Sequence, residues 1–225
     1  MPLSGIRVIE FCHMVMGPTC GMILGDLGAD VIKVEPLSGD ITRRLEHNGA
    51  GFFASYNRNK RSIALDLKSP RGIEAAKKLA TGADVIIENF RPGALEKLGL
   101  GYIELSRNNR GLIYCSLKGF LEGPYANRTA LDEVVQMMAG LAYMTGPEGR
   151  PLRAGASVID IMGGMFGVIG IQAALVERAR TGKGKEVKAA LFETTVHVVA
   201  QHMLQFAATG MPSIPMPESA RAWAV

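Results

Sequence analysis

Asp160 stands at the mouth of an uncharged run: residues 161–176 hold no charged side chain over 16 positions and include four glycines. A carboxylate in that setting has two uses. It can cap a helix, because Asp is a favoured N-cap and needs no further chemistry to explain it. It can also attack an electrophile, because the positive end of a helix dipole keeps it ionised and so nucleophilic. The two uses are compatible. Gly163 and Gly164 weaken the helix locally and let a bulky ligand approach the backbone.

Other side chains suit a ring and a phosphate. Lys118 ends a strand-like run, where its ammonium can meet a phosphate or a purine nitrogen; the plain alternative is a solvated lysine. Glu88-Asn89-Phe90-Arg91-Pro92-Gly93 reads as a strand end and turn, and its order of amide, aromatic and guanidinium also fits a nucleotide. Gly17-Pro18-Thr19-Cys20-Gly21 is a weak anion site, since Pro18 removes one N–H donor and the GxGxxG pattern is missing. Arg58-Asn59-Lys60-Arg61 is more often a solvated charge run than a phosphate clamp. His13, His47, His197 and His202 lack ligand spacing, so a metal site is not expected. No Gly-x-Ser-x-Gly occurs, which leaves a serine hydrolase without support.

The elements that must position these groups alternate. Ile6–Phe11 reads as a strand, Gly17-Pro18 as a turn, Met22, Ile23, Leu24 and Leu27 as a helix face, and Ala29–Glu35 as a second strand. Such a unit implies parallel pairing with a right-handed crossover. It repeats through Ser62–Leu67, a helix opened by Ser69-Pro70, and Ala83–Asn89, then through a helix near Ala94–Leu98 and the strand Gly111–Leu117. The fold class expected is α/β: a Rossmann-like, mostly parallel sheet with helices on both faces, followed by a helical segment. Ligands then belong at the strand carboxyl ends, Phe11–Pro18, Glu35–Asp40, Asn89–Gly93 and Lys118–Pro124.

From Leu131 the pattern turns helical, with Asp132–Met144 and Asp160–Arg180 as helices. Val187–Phe192 reads as a short strand or a lead into a helix over Glu193–Thr209. Met211–Pro217 has linker composition, and Ala222-Trp223-Ala224-Val225 resembles the start of a strand. The expected division is a large domain over 1–192 and, over 193–225, a helix and Pro-rich linker toward a second domain missing from the chain.

With 225 residues, 48% hydrophobic and 20% charged, the chain suits one good core or two small ones and is no disordered tail. The net charge of +4 is spread along the sequence, which argues against nucleic acid and suits a small phosphorylated ligand. Cys12, Cys20 and Cys115 lack metal spacing and no leader is apparent, so reduced thiols and a cytoplasmic setting are expected. The uncharged run falls short of the roughly 20 apolar residues that span a bilayer, and no membrane partner is expected.

Pro2–Phe11, Gly17-Pro18, Leu27–Pro36, Gly39–Arg43, Asn59–Leu67, Glu88–Gly93 and Arg180–Gly184 together resemble the class III coenzyme A transferases, a family that includes formyl-CoA:oxalate and carnitine CoA-transferases. The likeness is colinear from residue 2 to about 210. It implies a CoA-binding Rossmann-like domain in a homodimer of interlocked chains, with acyl-CoA and a carboxylic acid as substrates and no permanently bound cofactor. It makes Asp160 the nucleophile on the thioester, passing through a mixed anhydride and an aspartyl-CoA thioester. CoA contacts carry over to Leu65, Asn89, Phe90, Lys97, Leu98 and Lys118. Lys97 stands where a formyl-CoA transferase has arginine, which keeps a phosphate contact but not a bidentate one.

The likeness also departs in two places. Met14 and Val15 fall on the acid side of the site, and Val15 replaces a glutamine that helps bind oxalate, which points to a larger or less polar acid. The related racemases use a His in a Gly-His-Asp motif, matched here by Ala130-Leu131-Asp132, and Leu131 cannot shuttle a proton. Transferase is therefore the reading preferred over racemase. Family members run longer, so a truncated, inactive CoA-binding fragment is the alternative from a different class.

Overall fold

A computed structural model of the chain describes residues 1–218, so the strand start expected at Ala222–Val225 lies outside the described residues. The chain forms two compact units, Met1–Lys118 with Ile161–Ala189, and Gly119–Asp160 with Ala190 onward.

The first unit is built on a six-stranded sheet. Its strands are β1 (Arg7–Phe11), β2 (Asp30–Glu35), β3 (Lys60–Ala64), β4 (Val85–Glu88), β5 (Ile113–Lys118) and β6 (Glu186–Ala190), in the order β3-β2-β1-β4-β5-β6. The four pairings among β1 to β5 are all parallel. Strands buried on both faces need apolar side chains on both, which is why Val8 and Ile9, or Ile86 and Ile87, stand side by side in sequence without exposure.

One face packs Ile9, Phe11, Ile86 and Tyr114 against Ala76, Ala80 and Leu105. Those last three come from α3 (Pro70–Thr81) and α4 (Tyr102–Asn108). The other face carries α1 (Met16–Asp26) and α7 (Val158–Thr181), both lined by glycine. A Cβ on Gly164 would lie 2.6 Å from the Met16 carbonyl oxygen, and one on Gly167 would lie 2.9 Å from Leu117 and 3.2 Å from Cys20 Sγ. By length and composition α7 is apolar enough to cross a membrane, yet its glycine face is packed against the backbone of α1 and the Leu117 side chain of β5.

Local chemistry sets several boundaries away from those expected. Gly17 and Pro18 lie inside the first turn of α1, not in a turn before it, because Val15 is the cap residue and a proline there forfeits no intrahelical bond. Ser69 caps α3 as expected, its Oγ accepting the Gly72 N–H at 3.1 Å. The helix expected near Ala94–Leu98 shrinks to a 3-10 turn at Glu96–Leu98, ended by Gly99 in the left-handed region. The short helices α2 (Phe52–Tyr56) and α4 carry too few turns to show a period in sequence.

The second unit is helical. The expected helix over Asp132–Met144 is two, α5 (Asp132–Met138) and α6 (Leu141–Thr145), parted by Gly140 at φ 94°. The longer α8 (Leu191–Thr209) packs against both. Its start is tied to the segment after Lys118: the Phe192 N–H donates to the Gly119 carbonyl at 3.0 Å, and Glu193 accepts the Leu121 N–H at 3.1 Å.

Candidate active site

Asp160 lies in the first turn of α7, two residues past the start of the helix, and it is not the cap. The capping is done from α5. Asp132 Oδ2 accepts the backbone N–H of Ile159 at 2.8 Å and of Asp160 at 3.0 Å. Asp132 itself is buried and also receives the Gln136 side-chain amide, while Gln136 Oε1 accepts the Ala154 N–H at 2.8 Å. The guanidinium of Arg153 approaches both Asp132, at 3.7 Å, and Glu133, at 3.8 Å.

With its cap role taken by another side chain, the Asp160 carboxylate is left over. Among the described residues nothing donates a hydrogen bond to it. It is half-buried, and burial first, then the negative charges of Asp132 and Glu133, push its pKa up to about 7 against a smaller opposing pull from Arg153. A carboxylate with that pKa is a stronger base and nucleophile when ionised than an ordinary aspartate, and half the molecules carry it ionised near neutral pH.

The two effects of Asp132 can be separated. Asp132→Asn keeps an oxygen for the α7 N–H groups but removes the charge and turns an NH2 donor toward the Gln136 amide, so the Asp160 titration should move to lower pH while the fold loses about 1–3 kcal/mol. A carbon-13 titration of the aspartate side chains reads this directly. An unmoved Asp160 midpoint would mean that the Asp132 charge has no part in setting it.

The remaining expected site residues lie in the first unit, at or just beyond the strand carboxyl ends except for Lys97 and Leu98, which lie in the 3-10 turn after β4. His13, Met14 and Val15 follow β1, Asn89 and Phe90 follow β4, and Lys118 ends β5. The Asn89 side chain is already engaged: its Oδ1 accepts the His13 N–H at 3.0 Å and its Nδ2 donates to the His13 carbonyl at 2.8 Å. Lys118 is neither solvated nor free. Its ammonium pairs with Glu88 at 2.6 Å and donates to the Phe90 carbonyl at 2.7 Å. Phe90 packs its ring against His13, centroids 5.3 Å apart. Val15 is buried, and Met14 holds a left-handed backbone at φ 62°, an uncommon conformation for a long side chain. Leu65 follows β3, and Leu65 and Leu98 lean on the hydrophobic cluster, while Lys97 is exposed.

Sequence reading missed a buried ionic group beneath this rim. Glu10 on β1 lies between two ammoniums, Lys33 at 3.2 Å and Lys60 at 2.8 Å, and Asp40 lies 2.9 Å from Lys33. Burial pushes the Lys33 pKa down, but Glu10 and Asp40 outweigh it and hold the pKa above the ordinary lysine value; at Lys60 burial prevails and the pKa is lowered. Beside them, burial pushes the Glu35 carboxyl up, and Arg43, Ser62 and the Asp40 N–H together overcome it and hold the pKa at about 2. The one available signal was a Glu and a Lys in the middle of otherwise apolar strands. The run Arg58–Arg61 is likewise no clamp: Arg58 pairs with Asp26, Lys60 with Glu10 and Arg61 with Asp30.

Cys12, Cys20 and Cys115 are free and buried, and burial raises the Cys12 and Cys20 thiols well above the ordinary value. Among the described residues no group of three His, Cys, Asp or Glu side chains is placed to hold a metal ion.

Comparison with known proteins agrees with this architecture. The chain is 43% identical over 226 residues to a succinate–glutarate CoA-transferase of Agrobacterium fabrum, covering 95% of this chain and 56% of that protein. It is 43% identical over 195 residues to a formyl-CoA:oxalate CoA-transferase of Rhodopseudomonas palustris, covering 84% of this chain and 46% of the relative. A crystal structure of a CAIB/BAIF family protein from Brucella suis superposes with a TM-score of 0.90 at 42% identity, over 96% of this chain and 60% of that one. The chain thus spans about half the length of the curated relatives it matches. The family model described as CoA-transferase family III matches residues 3–225, and the chain belongs to that family.

Proposed function

We propose that the protein to which this chain belongs moves CoA from an acyl-CoA donor to a free carboxylic acid, with Asp160 as the nucleophile. The observation that carries this is the unengaged Asp160 carboxylate at the start of α7, raised to a pKa of about 7 by burial and by its neighbour Asp132. Asp160 attacks the thioester carbonyl and expels CoA thiolate, leaving a mixed anhydride. The thiolate then attacks the aspartyl carbonyl of the anhydride and releases the donor acid, leaving an aspartyl-CoA thioester. An acceptor carboxylate reverses both steps and frees Asp160. No step consumes a proton or an electron overall, and no bound cofactor is required; the protein must mainly keep water from the anhydride.

On this reading Leu65, Asn89, Phe90, Lys97, Leu98 and Lys118 make up the CoA side. Because the Asn89 amide and the Lys118 ammonium are committed within the fold, their part is to fix the loop shape, and the exposed Lys97 is the group left to meet a phosphate. Met14 and Val15 make up the acid side. A buried valine there offers no hydrogen bond, which favours dicarboxylic acids of the succinate and glutarate kind over oxalate. Exposed Leu131 has no proton to exchange, against a racemase. The same reading takes 1–192 as the first part of a CoA-binding domain, with 193–225 leading to a second, in an interlocked homodimer. Three free, buried thiols support a cytoplasmic setting.

The test is the intact mass of the protein after incubation with succinyl-, glutaryl-, formyl- and acetyl-CoA, with hydroxylamine added to trap activated carboxylates and the modified peptide sequenced. A hydroxamate at Asp160 is the expected product, and the donor that gives it names the acid. Turnover with the adduct elsewhere would remove Asp160 from the mechanism. CoA binding with neither turnover nor adduct would favour a CoA-binding chain without catalysis.

A further inference from the structure

The buried quartet Glu10, Lys33, Asp40 and Lys60 has a feature that stability does not explain. Two carboxylates and two ammoniums balance in charge, and their side chains are 2% exposed or less. Buried ion pairs are costly to desolvate and are often replaced by apolar side chains without loss of stability, so their presence calls for another reason.

Both ammoniums reach past the carboxylates to the backbone of one segment. Lys33 Nζ donates to the Cys12 carbonyl at 2.8 Å, and Lys60 Nζ donates to the Pro18 carbonyl at 2.8 Å. Between those two carbonyls lie His13, Met14, Val15, Met16 and Gly17. Asn89 also holds the segment just past its start, through the backbone N–H and carbonyl of His13. Met14 sits there at φ 62°, a conformation that persists only where the surroundings enforce it. Room for the quartet is also built in: a Cβ on Gly21 would lie 1.9 Å from Glu10 Oε2.

We propose that Glu10, Lys33, Asp40 and Lys60 are positioning residues that clamp both ends of the 12–18 segment and so hold Met14 and Val15 in the geometry used for the acid substrate. The link to turnover rests on the CoA-transfer reading above; the clamp itself does not.

Two charge-balanced double substitutions test it in the full-length protein. Glu10→Met with Lys60→Met leaves the Lys33–Asp40 pair, and Lys33→Met with Asp40→Asn leaves the Glu10–Lys60 pair. Amide hydrogen exchange in the peptide over residues 11–20 should quicken by about tenfold or more, with β4 and β5 peptides unchanged. In the succinyl- or glutaryl-CoA exchange assay kcat should fall about tenfold or more, with the KM for acyl-CoA within about threefold.

Folded variants with unchanged exchange over 11–20 would overturn the clamp. Failure of both variants to fold would also overturn it, by showing the quartet to serve the whole sheet. Quickened exchange with an unchanged kcat would overturn the positioning role. A wild-type protein that moves no CoA at all would remove the catalytic reading, and the clamp would still be decided by hydrogen exchange.

Discussion

Asp160→Ala is expected to lower CoA exchange by about 10⁴-fold or more, because every covalent step of the proposed cycle passes through that carboxylate. CoA affinity should stay within about threefold, since in that cycle Asp160 meets the reacting carbonyl and not the body of CoA. The same variant should show no hydroxylamine-trapped adduct with any donor, measured as intact mass. The fold should survive, because the α7 N–H groups are capped by Asp132 and no described residue relies on the Asp160 side chain for a hydrogen bond. Retained exchange in a folded Asp160→Ala protein would dispose of the covalent route.

The second large effect is on stability, and its sign is opposite to that of most carboxylates. Asp160 titrates at about 7 in the fold against an ordinary value of 3.8. Between those two values the folded state holds a proton that the unfolded state has released, so stability is fully present below about pH 4 and is lost as pH rises toward 7. A difference of about three pKa units corresponds to about 4 kcal/mol, as an upper figure for a half-buried group. Asp160→Asn cannot ionise and escapes this loss. Urea unfolding from pH 4 to 8 should therefore find wild type and variant nearly matched near pH 4 and the variant more stable at pH 8, by up to about 4 kcal/mol. Parallel curves would mean that Asp160 ionises like a surface aspartate. The Asp160 carboxylate thus weakens the fold at the pH where it is ionised, a cost that suits the nucleophilic role proposed for it.

The parallel sheet could be approached from sequence because runs such as Val85–Glu88 and Ile113–Lys118 are apolar and punctuated by turn residues, whereas the strand order could not. Asp160 could be singled out for a similar reason, as a lone charge before a long neutral run. What sequence could not show was partnership. Asp132 and Gln136 look like the polar face of a short helix, and nothing in their spacing says that Asp132 caps another helix 27 residues away or that Gln136 holds the segment before it. Lys60 reads as one of several charges in a basic run, and only the fold tells it apart from Arg58 and Arg61 by burying it on Glu10. Asn89 and Lys118 were visible as polar groups at strand ends, but their commitment to His13 and Glu88 depends on which strands lie side by side. Helix breaks at Gly99 and Gly140 depend on single left-handed residues, which leave little trace in a hydrophobic pattern.

The three cysteines have a practical consequence at the bench. The CoA transfer proposed above passes through a small-molecule thiol, and colour reagents for thiols usually suffer a background from the protein itself. Cys12, Cys20 and Cys115 are shut away in the fold, and burial holds Cys12 and Cys20 in their unreactive protonated form. The native protein should therefore be silent to such a reagent, so that any signal from an acyl-CoA mixture counts liberated cofactor, and a slow additional signal would report the protein opening.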